Sequence, residues 1–331
     1  MILSALLLEK GYTVHGLREY SAIPDDDRTG ALDGVTLHYG DMADGGNLTR
    51  LIDKIRPDEI YNLAAMSHVH VSFAIPEHTA NVNALGPLRL LESIRALNAE
   101  KDIRFYQASS SEMFGRSPPP QDETTPFAPC SPYGAAKLFA YWSVRNYREG
   151  YGLHASNGIL FNHESALRGM HFVTRKITKG VGEIAAGVSD CLYLGNLDAA
   201  RDWGHAKDYM AGAWHMLQQD SPGDYVLATG IARTVRDFAS AAFACAGMTL
   251  VWTGEGMEEK GIDRRTGQVC VKVDPALFRP QDIPSLIGDA AKARDVLGWT
   301  PQTSFEDMVA EMVDADRMGP VLEKAKARTA F

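Results

Sequence analysis

Ile103-Arg-Phe-Tyr-Gln-Ala-Ser-Ser-Ser111 decides how this chain is read. Ile103 to Gln107 has the aromatic, apolar make-up of a buried strand, and it stops in a polar end, Ala108 to Ser111. Before it lies a long helical pattern, Val82–Leu97. After it, a loop carrying Pro118, Pro119, Pro120, Pro126, Pro129 and Pro132 leads to a helix from about Tyr133 to Gly150. A further strand, Ala155–Phe161, follows. Strands that alternate with helices in this way form a parallel sheet covered by helices.

The same alternation extends towards the start of the chain. Ile2–Lys10 reads as a helix ended by Gly11, and Tyr12–Leu17 and Val35–Tyr39 read as strands, the second running into Gly40-Asp41. Asn47–Ile55 reads as a helix and Glu59–Leu63 as a strand that ends in Ala64-Ala65. Beyond residue 161 the spacing loses its regularity, as a smaller mixed domain would. The expected fold is α/β: a Rossmann-type doubly wound parallel sheet over 1–161, then a mixed α/β substrate domain over 162–331 with segments that return to the sheet.

Composition narrows the class. The 331 residues hold 33 Lys+Arg against 42 Asp+Glu, a net charge of −9, which argues against nucleic-acid or anionic-membrane partners. No run approaches the roughly 18 apolar residues of a membrane span. The apolar start Met1–Leu8 is cut off by Glu9-Lys10 and lacks a basic leader, so it reads as helix rather than signal peptide. The four cysteines, Cys130, Cys191, Cys245 and Cys270, form no C-x-x-C pair. That spacing speaks against a disulfide framework or a metal site and fits a reducing cytoplasm.

In sheets of this kind ligands bind at the carboxyl ends of strands, here Asp41, Ser67, Ser109 to Glu112 and Asn162 to Glu164. Tyr133-Gly-Ala-Ala-Lys137 sets a phenol and an ammonium four residues apart on one helix face. A nearby cation lowers a phenol's pKa from about 10, which suits a base that takes a proton from a sugar hydroxyl. The spacing recurs in many solvated helices. Its place after a strand ending in three serines is what makes it specific, because a serine hydroxyl there can bond the same substrate oxygen.

That combination resembles the extended short-chain dehydrogenase/reductases. The runs Tyr106–Gly115, Asn157–Ser165, Phe172–Ile177 and Arg201–Tyr209 are similar to those of the GDP-mannose 4,6-dehydratase family, and the likeness extends from about Leu6 to Met312. It implies catalytic roles for Ser110, Glu112, Tyr133 and Lys137. Tyr133 would deprotonate the mannose C4 hydroxyl as hydride leaves C4, Glu112 would take the C5 proton and expel the C6 hydroxyl as water, and hydride would return to C6. Glu112 discriminates, since an epimerase has no use for it. The resemblance implies NADP as cofactor, with NAD as the alternative. Arg18, Asp41, Leu63, Ala64, Ala65, Ser67, Tyr133, Lys137, His163 and Arg168 would line it. Asn162, Thr174, Lys176, Arg201 and Arg279 would hold GDP-mannose, with arginines on the pyrophosphate. A homodimer or tetramer is implied as well.

Some positions depart from that pattern. Relatives begin with a strand and a G-x-x-G-x-x-G phosphate turn, whereas Met1 here falls within the following helix, so the expected sheet lacks its first strand. The expectation is a native start upstream, the alternative a remnant without cofactor. Glu19 and Tyr20 follow Arg18 where relatives carry basic residues, and a carboxylate there suits a ribose 2′-hydroxyl and hence NAD. The loop Ser21 to Gly34 carries Asp25-Asp26-Asp27, His78 stands for a tyrosine, Leu167 for an arginine and Asp282 for a glutamate. An epimerase or another nucleotide-sugar dehydratase is the competing reading in the same fold.

Overall fold

The runs at 104–110, 155–160 and 224–227 become strands buried on both faces, and amphipathic stretches become helices that cover them. The computed structural model describes residues 1–19, 33–97, 102–278, 283 and 285–329, with side chains as far as 317. In chain order the first elements are α1 (Ile2–Glu9), β1 (Val14–Arg18), β2 (Val35–Tyr39), α2 (Gly45–Ile55), β3 (Glu59–Asn62), α3 (Val69–Ser72) and α4 (Pro76–Ala80). Then come α5 (Gly86–Leu97), β4 (Arg104–Ser110), α6 (Pro132–Tyr151), β5 (Ala155–Leu160), β6 (Asn162–Glu164), α7 (Val173–Ala185), β7 (Leu192–Leu194), β8 (Ala200–His205), α8 (Ala206–Gln218) and β9 (Asp224–Leu227). The last are β10 (Ala232–Thr234), α9 (Val235–Cys245), β11 (Leu250–Thr253), β12 (Lys260–Asp263), β13 (Val269–Val273), β14 (Ser285–Leu286), α10 (Ala291–Leu297) and α11 (Phe305–Thr329). No helix among the described residues is long and apolar enough to cross a membrane.

Two compact units result. The first comprises Met1–Leu160, Ala206–Leu227 and Asp289–Thr300. Its strands β3-β4-β5-β9 form one parallel sheet, and β1 and β2 form a second parallel ladder. Six of the seven residues of β4 are buried, as a central parallel strand covered on both faces requires. Phe105 and Ala155 meet Leu91 and Ile94 of α5 and Val144 of α6 in the core. Register aligns Asn62, Gln107, Asn157 and Asp224 across the four strands, so four polar side chains share one face of the sheet.

The second unit comprises Phe161–His205, Ala228–Gly288 and Pro301–Phe331. Its sheets are mixed: β11-β12-β13-β7 in one, and β8 with β6, β10 and β14 in the other. Helices α7, α9 and α11 pack together around Ile177, Val181, Phe238, Phe243, Met308 and Met312. Trp203 is a core residue here, edge-on to Phe238 and stacked near Phe305. In the first unit Trp299 plays the same part against Tyr209, its Nε1 donating to the Asp208 carbonyl.

The expected helix Val82–Leu97 is instead divided. A π-helical turn, Asn81–Leu85, separates α4 from α5. Pro87 has no N–H to offer the carbonyl four residues back, and a widened turn absorbs that defect. Helix α3 is four residues long, too short to leave a periodic signal, and is held by the His68 ring accepting from the Val71 amide.

Candidate active site

The carboxyl end of β4 bends into a single 3₁₀ turn, Ser111–Met113. Ser110 caps that turn, its Oγ accepting from the Glu112 amide at 3.2 Å. Accepting in this way leaves the Ser110 hydroxyl hydrogen able to donate elsewhere. Helix α6 begins with Ser131, whose Oγ accepts from the Gly134 amide, and with Pro132 in the first turn, where a missing N–H costs nothing. The Tyr133 amide donates to Ser72 Oγ of α3 at 3.3 Å, which ties the first turn of α6 to α3. The start of α6 lies against the turn after β4, since a Cβ on Gly134 would come within 2.7 Å of the Glu112 carbonyl oxygen. Ser110, Glu112 and Tyr133 are thereby gathered at one strand end.

Lys137 lies one turn beyond Tyr133 and is only 3% exposed. Its Nζ donates to the Ala108 carbonyl at 2.7 Å and lies 5.9 Å from the centre of the Tyr133 ring. Burial brings its pKa down to about 8, because the charged form loses hydration. The Ala108 oxygen also accepts from Gln107 Nε2 at 3.0 Å, and Gln107 Oε1 accepts from Asn62 Nδ2 at 2.8 Å. Asn62 Oδ1 in turn accepts from the Ala64 amide at 3.2 Å. Neither Asn62 nor Gln107 stood out in sequence reading. The available signal was a side-chain amide next to a tyrosine within each strand, Tyr61-Asn62 and Tyr106-Gln107.

A second buried chain runs beside the first. Ser109 Oγ donates to Asn157 Oδ1, Asn157 Nδ2 donates to Asp224, and Arg148 holds Asp224 with two short bonds of 2.9 and 2.8 Å. Burial raises the Asp224 pKa, but Arg148 and Asn157 outweigh it and hold the carboxylate below its usual range.

The residues expected at the dinucleotide fall into two groups in this unit. Leu63, Ala64, Ala65 and Ser67 form the strip after β3, with Leu63 42% exposed. Asn83 clamps that strip by accepting from the Met66 amide and donating to the Met66 carbonyl. Arg18 and Asp41 lie at the ends of β1 and β2, where Glu19, Tyr39, Gly40, Asp41, Asp44 and Asn47 line a cavity of about 330 Å³. Arg18 lies 6.0 Å from the Tyr39 ring, and Asp41 accepts from the Ala43 amide. Asn47 Oδ1 is buried with no hydrogen-bond partner among the described residues, and a Cβ on Gly40 would collide with it at 2.4 Å. A carboxylate-lined hollow with an unsatisfied acceptor fits the hydroxyl-bearing ribose of an adenosine.

The remaining expected residues belong to the second unit. His163 Nδ1 bonds the Phe161 carbonyl at 2.9 Å, which fixes its ring. Arg168 pairs with the buried Glu164 at 3.1 Å and lies over the Phe172 ring, while Thr174 Oγ1 donates to the same carboxylate. Burial raises the Glu164 pKa against the pull of Arg168 and Thr174. Arg201 donates to the carbonyls of Ala200 and Ile283. Lys176 is partly buried, which lowers its pKa against the opposing charge of Asp274. Asn162 is half-buried at the start of β6. Arg279, Asp282, Tyr20 and most of the loop from Ser21 lie outside the described residues. Arg175, not expected at any site, ties α7 to α11 through Asp316.

The sequence profile of the GDP-mannose 4,6 dehydratase family matches residues 1–312. The GDP-mannose 4,6-dehydratase of Sinorhizobium fredii is 56% identical over 323 residues, covering 95% of this chain and 92% of its own. That of Vibrio cholerae is 51% identical, covering 95% and 90%. Among solved structures, the NAD complex of UDP-glucose 4-epimerase from Thermus thermophilus superposes with a TM-score of 0.79 at 24% identity, over 96% of this chain and 95% of that one. At that identity the likeness establishes the fold.

Proposed function

The chain belongs to the GDP-mannose 4,6-dehydratase family, and from that membership we propose how its side chains divide the reaction. The conversion takes GDP-α-D-mannose to GDP-4-dehydro-6-deoxy-α-D-mannose and water. A bound NAD(P) supplies a reversible hydride acceptor, so that oxidation at C4 is repaid by reduction at C6. Tyr133 Oη takes the proton of the C4 hydroxyl, and Lys137 supplies the nearby positive charge that a phenolate requires. Ser110 Oγ donates to the same sugar oxygen as its charge develops. The resulting ketone acidifies C5–H, and the Glu112 carboxyl takes that proton and delivers one to the departing C6 hydroxyl. Asn162, Thr174, Lys176, Arg201 and Arg279 hold the nucleotide-sugar, while His163 and Arg168 line the dinucleotide.

One observation carries this reading: Ser110, Glu112 and Tyr133 sit at a single strand end with a buried, charged lysine one helical turn away. The resemblance points to NADP. The carboxylates of Glu19, Asp41 and Asp44 around the ribose-sized hollow support a second reading, NAD. Phe139 and Trp142, 45% and 46% exposed on one face of α6, support a homodimer, and widely spaced free cysteines support a cytoplasmic setting.

The test is incubation with GDP-mannose and either dinucleotide, followed by mass analysis for a product lighter by one water. The Glu112→Gln variant, which keeps Tyr133, should lose dehydration by about 10²–10⁴-fold yet still reduce the dinucleotide in a single turnover. Dehydration by Glu112→Gln at the wild-type rate would sink the assignment.

A further inference from the structure

Four hydrogen bonds in the first unit form one continuous path, exposed at Ala64 and buried from Asn62 onward. The Ala64 amide donates to Asn62 Oδ1, Asn62 Nδ2 to Gln107 Oε1, and Gln107 Nε2 to the Ala108 carbonyl, which also receives Lys137 Nζ. Asn62 is 4% exposed, Gln107 0% and Lys137 3%. Each amide uses both its oxygen and its nitrogen, so neither can flip without breaking two bonds at once. Parallel pairing sets Asn62 beside Gln107 in register, so the orientation is held by the sheet as well. One end of the path is the strip after β3, and the other is the catalytic ammonium.

We propose that Gln107 and Asn62 are positioning residues that tie the strip carrying Ala64 to the Lys137 ammonium through the shared Ala108 carbonyl. The inference rests on Lys137 having the catalytic role given above. The physical link is competition for one oxygen. Gln107 Nε2 occupies one lone pair of Ala108, leaving the other to the lysine. Its positive end also lies beside Nζ, which makes the charged amine less favourable. Of the titratable and charged groups on elements packed against α6, Arg104 and Tyr106 on β4, Glu112 after it, His70 on α3, Glu77 and His78 on α4 and Arg89, Glu92 and Arg95 on α5 exert no resolved pull on Lys137, and burial is the resolved cause of its lowered pKa. A change at Gln107 therefore reaches the lysine through the carbonyl.

Gln107→Met, which keeps the volume and removes both polar ends, tests this on the full chain. Amide exchange at Ala64 should become roughly ten-fold faster, as expected for one lost hydrogen bond, while the Met66 amide, clamped by Asn83, stays protected. With the competing donor gone, the ammonium is favoured, so the alkaline limb of kcat should move up by about half a pH unit with KM within about two-fold. In a chain without turnover, which would defeat the assigned reaction, the lysine is still readable: the rise in stability above pH 8 should begin later than in wild type. Should Gln107→Met fail to fold, Asn62→Ala severs the same path one bond earlier and should give the same selective change at Ala64. Unchanged exchange at Ala64 overturns the proposal, and so does faster exchange with the lysine's titration unmoved.

Discussion

Gly115→Ala is the substitution whose outcome most directly tests how the catalytic turn is built. Gly115 has φ +56°, and an added Cβ would stand 1.8 Å from the Ala128 carbonyl oxygen and 2.9 Å from Pro129 Cα. Both obstacles are backbone, so no side-chain rotation relieves them. An ordinary carbon–oxygen contact is about 3.3 Å, so the two segments must part by roughly 1.5 Å. Separation breaks the bond from the Arg116 amide to Ala128 O and strains those from the Ala128 amide to Met113 and Phe114. Two hydrogen bonds at ~1 kcal/mol each, a left-handed alanine at ~1 kcal/mol and overpacking of ~1–3 kcal/mol give a loss of roughly 4–6 kcal/mol. That is much of the roughly 5–15 kcal/mol typical of a domain.

The same displacement acts on Glu112, three residues earlier, and on Ser131, which caps α6. A misplacement of about 1 Å can cost on the order of 10²-fold in turnover. Denaturant unfolding and steady-state dehydration, measured together, read both effects. Gly152→Ala is the matched control: its φ is +71° and nothing lies within 4 Å of the new Cβ, so only the ~1 kcal/mol conformational term remains. If Gly115→Ala were no more damaging than Gly152→Ala, the packing of the 126–129 segment against the catalytic turn would not be what holds it.

Two further outcomes follow from charge. The folded pKa of Lys137 is lowered to about 8 from 10.5, so above pH 8 the native state sheds its proton before the unfolded chain does. This contribution to stability is fully present above pH 10.5 and is lost as pH falls through 8, an effect of ~3 kcal/mol that Lys137→Met should abolish in unfolding measured from pH 7 to 10. A wild-type stability that falls across that window while Lys137→Met falls equally would contradict it. Glu19→Arg should strengthen NADP relative to NAD by about ten-fold or more in direct titration, because it replaces a like charge beside the 2′-phosphate with an opposite one. Wild type that already binds NADP the more tightly would refute the acidic-cavity reasoning.

Much of this architecture was legible because parallel strands leave a strong local imprint. Ile103–Gln107 is rich in aromatic and apolar residues and runs into serines, so the strand and its functional end could both be read. Tyr133 and Lys137 were legible for the same reason, since helical spacing fixes their shared face. What escaped depends on partners distant in sequence. Val82 begins no helix, because a proline five residues later and an asparagine bonded to Met66 turn the chain into a π turn. Gln107 reads as an ordinary polar residue until β3 sets Asn62 beside it. Arg175 and Asp316 are 141 residues apart and meet only when α7 packs on α11.

The polar row across the sheet explains why a lysine can be buried here at all. An ammonium removed from water is costly unless an acceptor is fixed in advance, since reorganising one on demand would forfeit much of the gain. Ala108 offers that acceptor, and its carbonyl is held on a central strand whose neighbours carry Asn62 on one side and Asn157 on the other. Asp224 and Arg148 then close the far end of the row as a neutral pair. Lys137 is the cation at the near end of this network, 5.9 Å from the centre of the phenol ring one turn away. A sheet with leucine at 62, 107 and 157 would be the more stable scaffold by hydrophobic burial, but its Ala108 carbonyl would be free to tilt and its lysine would titrate without an anchor. Stability given up in the sheet interior is in this way converted into a fixed cation at the strand end.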